Sequence, residues 1–227
     1  MKKKIIALGA ALLMAGALTA CQSTKAEAQE TTAVVAEQTS AAEQTAAAAQ
    51  TETAGELDLQ AAAGRHHVEI EVKDYGVIKV ELDGDAAPIS TANFMDLAKK
   101  GFYNGLTFHR IISGFMIQGG DPLGTGMGGS DREIKGEFSS NGVENNLSHT
   151  RGAISMARSQ KKDSASSQFF IVHEDSKYLD GEYACFGYVT EGMEAVDKIC
   201  HDIRTEDRNG TVAKENQPVI NEIRVID

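Results

Sequence analysis

The chain has 227 residues, with 22 Lys and Arg against 33 Asp and Glu and a formal net charge of −11. An acidic balance of this size disfavours nucleic acid and anionic lipid surfaces as partners, since both select for basic patches. Only three cysteines occur and no two form a C-x-x-C pair, so redox catalysis and a thiolate zinc site have no support.

The chain opens with Lys2, Lys3 and Lys4, followed by an apolar run from Ile5 to Leu18 that only small residues interrupt. The run is too short for a stable transmembrane span. Leu18-Thr19-Ala20-Cys21 resembles the lipobox at which bacterial lipoproteins are cleaved. Residues 1–20 are therefore expected to be a signal peptide. Cys21 would become the lipidated first residue, tethering the protein outside the cytoplasmic membrane.

Residues 21–64 read as a flexible linker. Fourteen of positions 22–64 are Ala, none is aromatic or Pro, and the sizeable hydrophobes are Val34, Val35, Leu57 and Leu59 alone. Four such residues cannot build a core. Ala favours helix and the interleaved Thr opposes it, so a stalk is expected.

Residues 65–227 suit one compact domain. Val68–Val72 and Val77–Leu82 alternate cleanly and predict two strands, with Asp74-Tyr75-Gly76 as their turn. Pro88 precedes a predicted helix from Ser90 to Lys100, which places Phe94, Leu97 and Ala98 on one face and stops at Gly101. Short strands and Gly-rich turns follow, then a second helix from Met193 to Cys200 and a closing strand from Val219 to Val225. Antiparallel strands with two helices predict a mainly β fold, a closed barrel capped at its ends, since closure removes exposed strand edges. Cys185 and Cys200 read either as buried free thiols or as a disulfide that an extracytoplasmic compartment would permit.

The most informative stretch is Phe108-His109-Arg110-Ile111-Ile112-Ser113-Gly114-Phe115-Met116-Ile117-Gln118-Gly119-Gly120-Asp121. Alternate residues of an extended strand share a face. His109, Ile111 and Ile117 then point away from Arg110 and Gln118 unless a bulge intervenes. A guanidinium beside an aromatic ring, a thioether and a carboxamide outlines a peptide-binding surface, with apolar groups for a side chain and polar groups for an amide.

Three further blocks accompany it: Ala87-Pro88-Ile89-Ser90-Thr91-Ala92-Asn93-Phe94; Ile154-Ser155-Met156-Ala157-Arg158 leading to Ser167-Gln168-Phe169-Phe170-Ile171; and Tyr178-Leu179-Asp180-Gly181 before Phe186-Gly187-Tyr188-Val189. In this order and spacing, residues 66–227 resemble the cyclophilin-type peptidyl-prolyl cis-trans isomerases. The resemblance implies an eight-stranded antiparallel barrel with two α-helices. It implies rotation about X–Pro amides without cofactor or metal. Arg110, Phe115 and Gln118 match the family's catalytic positions. Met116, Phe170 and Leu179 match its pocket, Ala157 and Arg158 the edge that binds the peptide main chain, and Tyr178, Tyr183 and His149 complete the expected groove. Tyr178, Tyr183 and Arg158 stand where many members have Trp, His and Asn; without the indole N–H, weak cyclosporin binding is expected.

Other patterns are decoys. Gly124-Thr125-Gly126-Met127-Gly128-Gly129 matches a dinucleotide fingerprint, but no helix or βαβ unit surrounds it. His66-His67 and His173-Glu174-Asp175 lack metal-ligand spacing. There is no G-x-S-x-G elbow. His109 and His149 suit packing or hydrogen bonding, since amide rotation needs no proton transfer. The expected protein is a monomeric isomerase acting on Pro-containing segments of exported proteins. A non-catalytic Pro-peptide binding or chaperone module is the alternative, and a surface adhesin a third.

Overall fold

A computed structural model describes residues 56–227. The proposed signal peptide, Cys21 and all of the stalk before residue 56 lie outside the described residues. Eight strands occur in the order β1 (Arg65–Val72), β2 (Gly76–Asp83), β3 (Phe108–Ile112), β4 (Met116–Gly119), β5 (Ala153–Met156), β6 (Phe169–Val172), β7 (Cys185–Glu191) and β8 (Ile220–Val225), with α1 (Pro88–Lys99) before β3 and α2 (Met193–Asp202) before β8.

The first hairpin forms as its alternation predicts: Val68, Ile70 and Val72 on β1 and Ile78, Val80 and Leu82 on β2 are all buried. The turn between them needs left-handed backbone, and Asp74 and Gly76 adopt it at φ 67° and 100°. Helix α1 buries Phe94, Leu97 and Ala98. The Phe94 ring lies 5.1–5.3 Å from the rings of Tyr103, Phe169 and Phe186, so the helix plugs one end of the sheet with aromatic surface. Its first turn is capped from a distance. The buried Glu137 carboxylate accepts hydrogen bonds from the N–H groups of Ile89 (2.8 Å) and Ser90 (2.7 Å) and from the Ser90 hydroxyl (2.6 Å). Two free helix donors and the positive end of the helix dipole are satisfied together.

All eight strands pair in one sheet, in the order β3-β4-β6-β5-β7-β2-β1-β8. Every pairing is antiparallel. The eight strands and two helices match expectation, but the ladder itself does not close. Its end strands, β3 and β8, meet through flanking residues: an isolated bridge joins Thr107 to Val219, Phe108 N–H donates to the Pro218 carbonyl (2.9 Å), and Ile220 N–H donates to the Leu106 carbonyl (2.7 Å). The free edge of β3 is covered by the segment 206–212, where Ile111 N–H donates to Gly210 O and Val212 N–H to His109 O.

Residues 57–64, placed in the linker by composition, pack on the domain. Leu57 rests against the core and Ala62 is buried. Gly64 donates to the Asp85 carboxylate (2.9 Å), and Gly64 O accepts from Gly84 N–H (2.8 Å). A side chain at Gly84 would collide with the Ala62 carbonyl, so this approach needs glycine there. One leucine and one alanine suffice because the domain supplies the rest of the apolar surface. Cys185 and Cys200 are both buried free thiols, and burial pushes each up to about 12.

Candidate functional site

The site is built across four neighbouring strands. Arg110 on β3 pairs with Gln118 on β4, Gln118 with Phe170 on β6, and Phe170 with Ser155 on β5. Directly opposed residues on antiparallel strands share a face, so these four form one row. The next row, Ile111-Ile117-Ile171-Ile154, faces the other way and is buried in the core. A register break between Phe108 and Arg110 leaves this alternation intact from Arg110 onward.

Arg110 is half-buried and held at three points. Its Nε donates to the Asn209 carbonyl (2.7 Å), and its Nη1 donates to Gln118 Oε1 (3.1 Å) and lies 3.9 Å from Met116 Sδ. Its Nη2 has no protein partner among the described residues. Burial lowers Arg110 from the ordinary arginine value, with Tyr183 and Asp207 acting the other way. That ordinary value lies so far above neutrality that the group stays cationic.

Gln118 extends the chain of bonds. Its Nε2 donates to Gln168 Oε1 (2.9 Å), and Gln168 Nε2 donates to the carbonyls of Gly126 (3.1 Å) and Gly128 (2.7 Å). The Gly-rich loop is thereby tied to the guanidinium. That loop turns around Asp121, whose carboxylate accepts from the N–H groups of Leu123, Thr125 and Gly126.

Beside Arg110 opens a cavity of about 190 Å³ lined by Phe115, Met116, Gln118, Ala157, Arg158, Phe170, Leu179 and Tyr183. A second cavity, of about 500 Å³, lies under the Gly-rich loop and shares Gln118, Ala157 and Arg158 with the first. The two cavities adjoin through these shared residues.

Most of the expected site residues therefore meet, and four sit differently. Tyr178 is 70 % exposed and packs its ring at a tilt against Phe115, 5.9 Å between centroids, outside the cavity wall. Arg158 is folded back: its guanidinium lies 5.1 Å from the Phe138 ring and 4.7 Å from the Tyr183 ring, and it donates to the carbonyls of Glu182, Ser159 and Gln160. Its side chain braces the cavity wall between those two rings. The Ala157 N–H is spent on the Gln168 carbonyl (3.0 Å), so it is not a donor for a bound peptide.

His149 does not line the groove at all. It is wholly buried behind Phe170, stacked on that ring at 6.0 Å. Its Nδ1 faces Asp180 Oδ1 (2.8 Å) and its Nε2 faces Ser155 Oγ (2.9 Å). This Ser-His-Asp set, not foreseen from sequence order, has the connectivity of a hydrolase triad. Ser155 is also wholly buried, so no substrate reaches its hydroxyl. The trio instead ties β5, the loop carrying Leu179 and the Phe170 ring into one wall. Burial lowers His149 below the ordinary histidine value while Asp180 pulls it back, so the neutral ring prevails near pH 7. His109 is buried on the opposite side, its two ring nitrogens without partners among the described residues. No three His, Cys, Asp or Glu side chains among the described residues group to hold a metal ion.

The model of the cyclophilin type peptidyl-prolyl cis-trans isomerase/CLD family matches residues 67–225. The chain belongs to this family. It is 46% identical over 144 residues to peptidyl-prolyl cis-trans isomerase B of Bacillus subtilis, covering 63% of this chain and 92% of that one. It is 48% identical over 126 residues to a Helicobacter pylori peptidyl-prolyl cis-trans isomerase, covering 55% and 74%. A crystal structure of a Cryptosporidium parvum cyclophilin type isomerase in the presence of the dipeptide Ala-Pro superposes with a TM-score of 0.62 at 33% identity, covering 71% of this chain and 99% of that one. The protein is a cyclophilin-type peptidyl-prolyl cis-trans isomerase.

Gln168 lies within the Ser167–Ile171 motif with no expected part of its own, and Asn209 is not among the expected site residues. The first had a signal, an amide two residues before Phe170 on the same face. Asn209 contributes a backbone carbonyl, which no side-chain pattern announces.

Proposed function

We propose that this cyclophilin turns X–Pro bonds with Arg110 as the electrostatic catalyst, and that its clients are Pro-containing segments of exported proteins. The observation that carries the first part is the half-held guanidinium: Nε and Nη1 have acceptors, Nη2 has none among the described residues, and Arg110 lines the cavity with Phe115, Met116, Phe170 and Leu179. The barrier to amide rotation is about 18–20 kcal/mol because the C–N bond has partial double-bond character. As the amide twists, that resonance is lost and the proline nitrogen regains a lone pair. A hydrogen bond donated to that nitrogen strengthens only near the twisted state, which is the condition for lowering the barrier. Phe115, Met116, Phe170 and Leu179 grip the pyrrolidine ring while the acyl side rotates. Gln118 orients the guanidinium and offers its amide to the peptide. No bond breaks, so no nucleophile is required.

The second part rests on the sequence before the domain. The Lys-rich start, apolar run and lipobox-like Leu18–Cys21 suit export and acylation at Cys21, and residues 22–55 would then hold the isomerase off the membrane. No described helix is long and apolar enough to cross a membrane. A monomer is the working state.

The test of the chemistry is the rate of cis-to-trans conversion of an X–Pro tetrapeptide by the full chain beside Arg110→Ala. Losing one transition-state donor costs about 2.7–4 kcal/mol, a drop of about 10²–10³ in turnover. Wild-type turnover by the variant would end the assignment. The anchor is tested by Cys21→Ser, which should move the protein from the membrane fraction to the soluble fraction of the export compartment. Unchanged fractionation would remove the lipoprotein reading and leave the isomerase intact.

A further inference from the structure

The Arg110 Nε bond comes from a part of the chain that contributes nothing else to the cavity. Its acceptor, the Asn209 carbonyl, sits in the turn Asp207–Thr211, which lies 99 residues downstream. Nothing on β3, β4 or β6 takes that place.

The turn is shaped by one side chain. Asp207 Oδ1 accepts from the N–H groups of Asn209 (2.9 Å) and Thr211 (3.1 Å), and Asp207 Oδ2 accepts from the Thr211 hydroxyl (3.0 Å). Gly210 completes the bend with φ 82°; a side chain there would lie 2.4 Å from the Ile111 carbonyl. The finished turn is fastened to β3 on both sides of Arg110, by Ile111 N–H to Gly210 O (2.8 Å) and Val212 N–H to His109 O (3.0 Å). The strand fixes where Arg110 starts. The turn fixes where its guanidinium points.

We propose that Asp207 is a positioning residue for the isomerisation: its carboxylate folds the turn so that the Asn209 carbonyl holds Arg110 Nε and aims the free Nη2 at the proline cavity. The inference rests on Arg110 being the donor to the proline nitrogen. A planar fork bound at Nη1 alone can swing about that contact, and Nη1 has only a neutral amide and a thioether to hold it. With Nε fixed as well, two points define the plane. Hydrogen bonds from Thr211 and its neighbours hold the Asp207 carboxyl below the usual carboxylate range, so the turn stays formed across the neutral range.

The test uses the full chain with Asp207→Ala, Asp207→Asn and Asp207→Glu. Kinetics are read as kcat and KM on an X–Pro tetrapeptide, and Arg110 is followed through its Nε–H resonance by NMR. Asp207→Ala should lower kcat about tenfold, the scale of a small misplacement of a catalytic group, with KM within twofold of wild type. Its Arg110 Nε–H should exchange rapidly with water. Asp207→Asn keeps an acceptor oxygen for both backbone N–H groups and should restore kcat and the slow exchange. Asp207→Glu keeps the charge but displaces the oxygens, and should behave like Ala; it also carries the test if the Ala variant fails to fold. Wild-type kcat in Ala and Glu overturns the proposal, and so does a fall in kcat while the Arg110 Nε–H stays protected. If Arg110→Ala itself turns over normally, the catalytic assignment fails, and the Nε–H resonance still reports separately whether Asp207 positions the guanidinium.

Discussion

The same four strands carry two rows of side chains with opposite duties. Ile111, Ile117, Ile171 and Ile154 face the core, and each is at most 2 % exposed. Arg110, Gln118, Phe170 and Ser155, their immediate neighbours in sequence, form the opposite row; the first three line the cavity and Ser155 is buried against His149. One face is uniform and specified by burial alone. The other mixes charge, amide, ring and hydroxyl, and each member needs its own support from elsewhere in the chain. A slip of one residue in register would exchange the two faces, so the isoleucine row also enforces the placement of Arg110.

This division separates stability from turnover, and variants can break it. The largest effect is expected for Ile117→Ala, at about 2–5 kcal/mol of stability. Urea unfolding measures the loss, and turnover per folded molecule should remain normal. Arg110→Ala should do the reverse, losing about 2.7–4 kcal/mol of transition-state stabilisation while its urea midpoint stays near wild type. A comparable loss of both properties in either variant would show that the rows are not independent.

A smaller effect is expected at the cavity wall. Arg158 stacks between Phe138 and Tyr183, contacts worth about 0.5–2 kcal/mol. Arg158→Asn should leave Tyr183 less restrained, raising KM a few-fold with kcat unchanged. A lowered kcat at constant KM would place Arg158 nearer the chemistry.

The smallest effect concerns pH. Burial lowers His149 in the folded protein, so the unfolded chain binds its proton more readily. The stability supplied by the neutral ring is fully present above about pH 6.5 and is lost as pH falls below it toward the folded-state value. Burial lowers His109 in the same direction. The urea midpoint of wild type should drop more steeply between pH 7.5 and 5.5 than that of His149→Gln, and parallel slopes would exclude His149 from the acid response.

Much of this was legible in the chain. The alternation of Val68–Val72 and Val77–Leu82, the Asp74–Gly76 turn and the apolar face of α1 follow from local periodicity, because burial acts on every second or every third to fourth residue. The segregation of Arg110 and Gln118 from Ile111 and Ile117 follows from the same rule. The resemblance carried by four motifs placed the cavity residues Phe115, Met116, Phe170 and Leu179.

Tertiary structure alone decided the supports. The Asn209 carbonyl at Arg110, Glu137 at the start of α1, Gln168 between Gln118 and the Gly-rich loop, and the His149–Ser155–Asp180 trio behind Phe170 all join residues from different elements or loops. Their bonds are directional and single, and leave no period to read. Composition likewise put residues 57–64 in the stalk, since a lone Leu57 cannot form a core; against a core already formed by the domain, one leucine is enough to dock.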